Sequence, residues 1–173
     1  ILKFTLTPIW RYESVWFLVR THTDWLSSLR SRIPCKIRQA DLHDLDRMEG
    51  LNFGSREALA AALSNPHDFC FVAEYQEKLI AIQWVLVGGG EGFTIYPFGT
   101  SVRLAEDEYY LHDARTLKDY RGRGAILEIE KEIFRFLSLR GFKSVYTDIL
   151  PKNFISLNTF EKLGFRKFER LSL

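Results

Sequence analysis

The stretch Tyr120-Arg121-Gly122-Arg123-Gly124-Ala125-Ile126 decides how this chain is read. Before it, residues 108–117 are β-prone and predict a strand. After it, Ile126, Ile129, Ile133, Phe136 and Leu137 recur at helical spacing, and they predict a long amphipathic helix over 125–139. Arg140 and Gly141 supply the stop, with Gly suited to the left-handed cap. A strand that passes through a Gly-rich turn into a helix builds an anion site. The first N–H groups of a helix have no internal partner, and the helix dipole adds partial positive charge. Gly122 and Gly124 let the backbone approach a phosphate, and Arg121 and Arg123 add charge. A diphosphate is the natural guest, which leaves nucleotides and coenzyme A both open. The plainer alternative is a tight turn with solvated arginines.

Working outward, residues 35–40 read as a short strand. Leu42, Leu45, Met48 and Leu51 then form an apolar stripe behind Asp41, which predicts a helix. Residues 55–63 predict a second helix capped by Ser55 and closed by Asn65-Pro66. Residues 69–74 and 79–87 read as a hairpin around the polar turn Gln76-Glu77-Lys78. Gly88-Gly89-Gly90 reads as a turn, since no Lys-Ser/Thr follows and no helix opens there. Residues 93–96 read as a strand. Downstream, residues 144–149 form a strand, 155–163 a helix ended by Gly164, and 165–171 a last strand.

Residues 1–35 are aromatic-rich. Strands are expected over 3–6 and 16–20, and Asp24 is placed to cap a short helix carrying Trp25, Leu26 and Leu29. We read residues 1–35 as an extension packing on a domain of residues 36–173. Its Trp10, Trp16 and Trp25 are expected in core packing, with an acceptor-site cover or a homodimer contact left open.

The composition narrows the classes. Of 173 residues, 46% are hydrophobic and 27% charged, which suits a globular domain with its own core. A net charge of +2 gives no argument for a nucleic-acid partner. Cys35 and Cys70 are too few for a disulfide scaffold and lack zinc-site spacing, so reduced thiols, no metal and a cytoplasmic location are expected. No apolar run is long enough to span a bilayer.

The turn and the downstream segment together resemble the GNAT superfamily of acyl-CoA N-acyltransferases. The family's turn is written Arg/Gln-x-x-Gly-x-Gly/Ala. Arg121 and Gly124 match, while Ile126 stands where Gly or Ala is usual. Beyond it, Asn153, Ser156 and Lys162-Leu163-Gly164-Phe165 match the order and spacing of the family's closing segment. The resemblance covers about residues 36–173. It implies an α/β (α+β) GNAT-like fold. Its central sheet would be mixed but mostly antiparallel, with a splayed parallel pair as fourth and fifth strands and helices on both faces.

The resemblance also implies the chemistry. Acetyl-CoA or another acyl-CoA would be the cosubstrate and a small primary amine the acceptor. Thr116 and Leu117 would pair with the pantetheine arm. Arg121, Gly122, Arg123, Gly124, Ala125 and Ile126 would hold the pyrophosphate. Asn153 and Ser156 would sit near the thiol end, although Asn153 also reads as a residue satisfying local backbone. Where the family often has a tyrosine acid, this chain has Phe160. The thiolate would then leave unprotonated, or Tyr146 would serve.

For the base, Glu108, Tyr110 and His112 alternate along one face of their strand, with Asp113 expected on the other. His112 has an ordinary pKa of about 6.5, suited to neutral pH, but a lone strand histidine is often structural. Glu74 is a second candidate. Phe160 and Ile126 motivate an alternative, a GNAT-like domain that binds acyl-CoA without turnover. A nucleotide-binding fold would need a Walker lysine or a Rossmann acidic residue, and neither is evident.

Overall fold

The computed structural model describes residues 14–21, 30–48, 50–51, 54–90, 93–95 and 100–172. The expected strand over 3–6, the helix carrying Trp25, Leu26 and Leu29, Trp10 and Tyr96 lie outside the described residues. The strands are β1 (Ser14–Arg20), β2 (Lys36–Gln39), β3 (Asp68–Tyr75), β4 (Lys78–Val87), β5 (Phe93–Ile95), β6 (Thr100–Val102), β7 (Glu108–Thr116), β8 (Ser144–Ile149) and β9 (Arg166–Ser172). The α-helices are α1 (Arg56–Leu63), α2 (Ala125–Ser138) and α3 (Phe154–Lys162).

Seven strands form one sheet in the order β2-β3-β4-β7-β8-β1-β9. Its neighbours are antiparallel except for the parallel pair β7 and β8. This is the expected mixed, mostly antiparallel sheet. The chain reaches β8 from β7 through α2, as a parallel crossover requires.

Two cores lie against the sheet. In the larger, Ile129, Ile133 and Leu137 of α2 are fully buried with Leu18, Phe71, Val85, Leu111 and Val145. Their spacing follows the helical period, which aims one stripe at the sheet. Burial of each such side chain stabilises the fold by about 2 kcal/mol. Ile133→Ala is expected to cost about 2–5 kcal/mol through the cavity it leaves. The smaller core joins Met48, Leu51 and Leu59 to Cys70, Val72, Ile82 and Trp84.

Three local features differ from the sequence reading. Leu42–Met48 is a 3-10 helix rather than an α-helix. Leu42, Leu45, Met48 and Leu51 repeat every third residue, which is the 3-10 period, and Met48 and Leu51 are fully buried. Second, Thr100–Val102 is a strand where none was expected, and it pairs with β5 as a separate hairpin. Third, β1, from the N-terminal segment, sits inside the sheet between β8 and β9. The sheet thus runs across the sequence division at residue 35. At the turn before β5, a Cβ on Gly88 would overlap the Ala105 carbonyl, so this glycine serves chain packing. Among the described residues, no helix is long and apolar enough to cross a membrane.

Candidate functional site

The parallel pairing of β7 with β8 runs from Glu108↔Ser144 to Leu111↔Thr147 and then stops. Its cause lies on the other side of β7. Against β4, the register steps from Trp84↔His112 to Ile82↔Arg115, so β7 carries one extra residue there. That is a β-bulge, and bulges bend the strand that holds them. Asp113 adopts the left-handed conformation at φ 48°. The Gln83 amide donates to the His112 carbonyl at 2.9 Å, which satisfies a group at the bulge. The Thr147 hydroxyl donates to the Leu111 carbonyl at 3.1 Å at the last paired position. Beyond it the strands part.

A cleft of about 610 Å³ opens there. Its walls come from β7, β8, α3 with the Asn153 that caps it, Asp68 of β3, Gln83 and Leu86 of β4, and Thr94 of the β5–β6 hairpin. Register explains which side chains meet. Asp68 pairs with Leu86, Leu86 with Tyr110, Trp84 with His112, and Tyr110 with Tyr146. Side chains two apart on a strand share a face, so Asp148 joins Tyr110, His112 and Asp68 on one side.

His112 is held between two carboxylates. Nε2 lies 3.1 Å from Oδ1 of Asp68, and Nδ1 lies 3.2 Å from Oδ2 of Asp113. Its ring stacks on Tyr110 at 5.9 Å and on Trp84 at 6.1 Å between centroids. Burial alone would lower its pKa. Hydrogen bonds to Asp113 and Asp68, with their charges, outweigh that and raise it to about 9. Near neutrality His112 is therefore an imidazolium, which corrects the expectation that its ordinary pKa fits it as a base. Asp113 was expected on the opposite face. The bulge breaks the alternation and turns its carboxylate to His112.

Asp148 and Tyr110 form the second polar pair. The Tyr110 hydroxyl donates to Oδ1 of Asp148. Burial raises the Asp148 carboxyl above its ordinary value, while the hydrogen bond from Tyr110 and the His112 charge draw it back. Tyr110 is raised strongly, first by burial and then by Asp148, so it stays a phenol and a donor. Sequence reasoning did not single out Asp148 or Asp68. The parallel register Tyr110↔Tyr146, had it been assumed, would have found Asp148.

Glu108 sits at the closed end of the parallel pair and is not among the residues lining the cleft. Its carboxylate accepts from the Ala105 N–H at 3.0 Å and the Tyr146 hydroxyl at 2.9 Å. Tyr146 is likewise outside the cleft lining. Glu74 is tied to Arg38 of the edge strand β2 and to Arg47 of the 3-10 helix. Phe160 lines the cleft with an apolar ring packed on Phe165 at 5.0 Å. Asn153 and Ser156 also line it, and Oδ1 of Asn153 accepts from the Ser156 N–H at 3.2 Å, capping α3.

The Gly-rich turn connects β7 to α2. Gly124 is the N-cap of α2 at φ 88° and provides no side-chain cap, so the first N–H groups of the helix are left for an outside acceptor. A Cβ on Gly124 would come within 2.9 Å of the Ser31 Cα. The segment before β2 packs here: Arg32 N–H and the Ser31 hydroxyl donate to the Arg123 carbonyl at 2.8 and 3.0 Å. Ile126 is half-buried against the larger core, as is Leu127, and Ala125 is buried in that core. Two backbone groups expected to meet a ligand are engaged internally. Leu117 N–H donates to the Ile80 carbonyl, and the Thr116 carbonyl accepts from Nε of Arg121. Gly122, at φ 71°, is exposed. Among the described residues, no cluster of three or more His, Cys, Asp or Glu is arranged to hold a metal ion.

Residues 37–165 match the acetyltransferase (GNAT) family. Three solved structures share the fold. An aminoglycoside N-acetyltransferase, AAC(6')-Iy, in complex with CoA, has TM-score 0.61 and 22% identity over 80% of this chain and 96% of that one. An aminoglycoside acetyltransferase from an uncultured soil metagenomic sample has TM-score 0.57 and 16% identity over 73% and 85%. A functionally unknown conserved protein from Staphylococcus epidermidis has TM-score 0.65 and 10% identity over 91% and 58%. No curated protein sequence matches.

Proposed function

This chain belongs to the acetyltransferase (GNAT) family, and we propose that it transfers an acyl group, acetyl first among the candidates, from acyl-CoA to a primary amine by direct attack. The observation that carries this reading is the cleft opened by the parting of β7 and β8, taken together with the uncapped start of α2, the helix that follows β7. A thioester arm fits between parted strands, and a pyrophosphate suits free helix N–H groups. The CoA complex of the similar AAC(6')-Iy supports the same donor.

The residues divide the work as follows. Asp148, more basic than an ordinary carboxylate, takes the proton of the incoming ammonium. The freed nitrogen attacks the thioester carbonyl. The N–C bond forms and the C–S bond breaks. The second proton leaves the nitrogen for solvent, and the sulfur departs as thiolate, since Phe160 has no proton to give. A thiol pKa of about 8.5 makes that departure tolerable. Tyr110 holds Asp148 in place, and His112 adjusts its basicity by charge.

The apolar Phe160 in the cleft favours one rival reading, a domain that binds acyl-CoA without transferring it. Calorimetric titration with acetyl-CoA and separately with ATP, followed by assay of thiol release with simple amines, tests both. The transferase reading expects micromolar binding of acetyl-CoA, none of ATP, and amine-dependent thiol release. Binding without release across amines supports the rival. No binding by the folded protein overturns both.

A further inference from the structure

The transferase reading leaves the acceptor open among amino sugars, small amines, amino acids and proteins. The cleft's charge discriminates between them. Asp68, Asp113 and Asp148 line it, and the described lining residues include no Lys or Arg. His112 is the sole cation among them, and it faces two of the three carboxylates. Asp113 lines the cleft with half of its side chain exposed. Gln83 points the same way by a separate observation. It is 1% exposed, it lines the cleft, and its Oε1 has no partner while its amide nitrogen is spent on the His112 carbonyl. A buried acceptor without a donor is costly, so the site favours an occupant that brings a hydrogen-bond donor, as an amine does.

We propose that the acceptor is a diamine or polyamine: one nitrogen reacts beside Asp148, and a second ammonium is held at the mouth by Asp113 and Asp68. This rests on the transferase reading and adds the charge class of the substrate. One imidazolium between two carboxylates leaves a negative remainder that a second ammonium neutralises. An acceptor carrying a carboxylate meets repulsion from the same groups, which removes free amino acids from the candidates.

The test compares three acceptors with acetyl-CoA, following thiol release: pentylamine, cadaverine (the same chain with a second amine) and aminocaproate (the same chain with a terminal carboxylate). Cadaverine is expected to exceed pentylamine in kcat/KM by about tenfold, the factor one partly desolvated charge pair supplies, and aminocaproate is expected to fall below pentylamine. Asp113→Asn, whose side chain also tolerates the left-handed backbone, is expected to reduce the cadaverine-to-pentylamine ratio, and Asp68→Asn to do the same. Equal kcat/KM for cadaverine and pentylamine, or an unchanged ratio in both variants, overturns the proposal and leaves the transferase reading standing. If no acceptor turns over while acetyl-CoA binds, calorimetric titration of the acetyl-CoA complex with cadaverine and with pentylamine decides it: preferential cadaverine binding sustains the charge class and equal binding ends it. Failure to bind acetyl-CoA at all removes both readings.

Discussion

The Asp68 carboxylate reaches Nε2 of His112 at 3.1 Å across 44 residues of sequence. Asp68 opens β3, His112 lies two strands away on β7, and β4 runs between them. The contact works because both residues sit on one face of the sheet, next to the bulge that brings Asp113 to the other ring nitrogen. Three separate strand features therefore converge on one imidazole. Its charge then acts on Asp148, the residue to which we assign the proton transfer.

The first consequence concerns stability. The folded pKa of His112, about 9, lies above its unfolded value of 6.5. The folded state binds the proton more tightly, so this stabilisation is fully present below about 6.5 and is lost as pH rises through about 9. Its size is on the order of 2 kcal/mol once solvent screening is allowed for. Urea unfolding of the wild type and of His112→Gln between pH 6 and 10 measures it. The wild type should lose its advantage over that range. Parallel profiles for the two proteins would rule out the charged pair.

Asp148 gives the kinetic counterpart. Asp148→Asn is expected to lower kcat by about a hundredfold or more, the usual contribution of a positioned base, with acetyl-CoA binding little changed. The acidic limb of the pH–rate profile should flatten, because the wild-type rate falls as pH drops through the raised Asp148 pKa. His112→Gln removes a charge that holds that pKa down, so its acidic limb should move to higher pH. A His112→Gln profile superimposable on wild type would disconnect the imidazole from Asp148.

Much of this was legible in the sequence, for a physical reason. Period-2 and period-3.6 patterns are local, so β3, β4, β7, α2, β8 and α3 could each be read from their own residues. The turn at 121–126 was legible because glycine spacing and helix onset are also local. The site was less so. Asp68 and Asp148 matter only through strand order and register, which no single segment carries. Asp113 was assigned to the wrong face because alternation assumes an unbulged strand. The place of β1 between β8 and β9 depends on pairing with residues more than a hundred positions away. The 3-10 helix at Leu42–Met48 is hard to tell from an α-helix in sequence, because a short stripe at every third residue fits both periods.

Gly124 tests the phosphate turn. Its φ of 88° is strained for any L side chain, and a Cβ would press on the Ser31 backbone, which cannot yield as a side chain tip would. Gly124→Val should therefore displace the segment before β2 and deform the first turn of α2. Acetyl-CoA affinity is expected to fall at least about tenfold, with a stability loss on the order of 2 kcal/mol. Calorimetry on the folded variant checks this. Unchanged affinity would separate the turn from acyl-CoA binding.

Glu130 offers a prediction independent of the cleft. It lies on the buried stripe of α2 at 0% exposure, and neither carboxyl oxygen has a hydrogen-bond partner. Burial raises its pKa from 4.5 to about 8, with Arg20 drawing it back. The sign is opposite to the usual acidic residue. Between about 4.5 and 8 the unfolded chain releases a proton that the folded chain keeps, so stability falls as pH rises through that window. Above about 8 the loss is complete and constant, at up to about 5 kcal/mol. Glu130→Gln cannot ionise, so its stability should lack this slope and exceed wild type most clearly near pH 8. Glu130→Met, of similar volume and without buried polar oxygens, should be the more stable at every pH, because it also removes the unpaired groups. Urea midpoints for the three proteins at pH 5 and pH 8 separate these effects. If wild type and Glu130→Gln lose equal stability between the two pH values, the carboxyl is not held neutral in the folded protein, and Arg20 must be neutralising it as a paired charge.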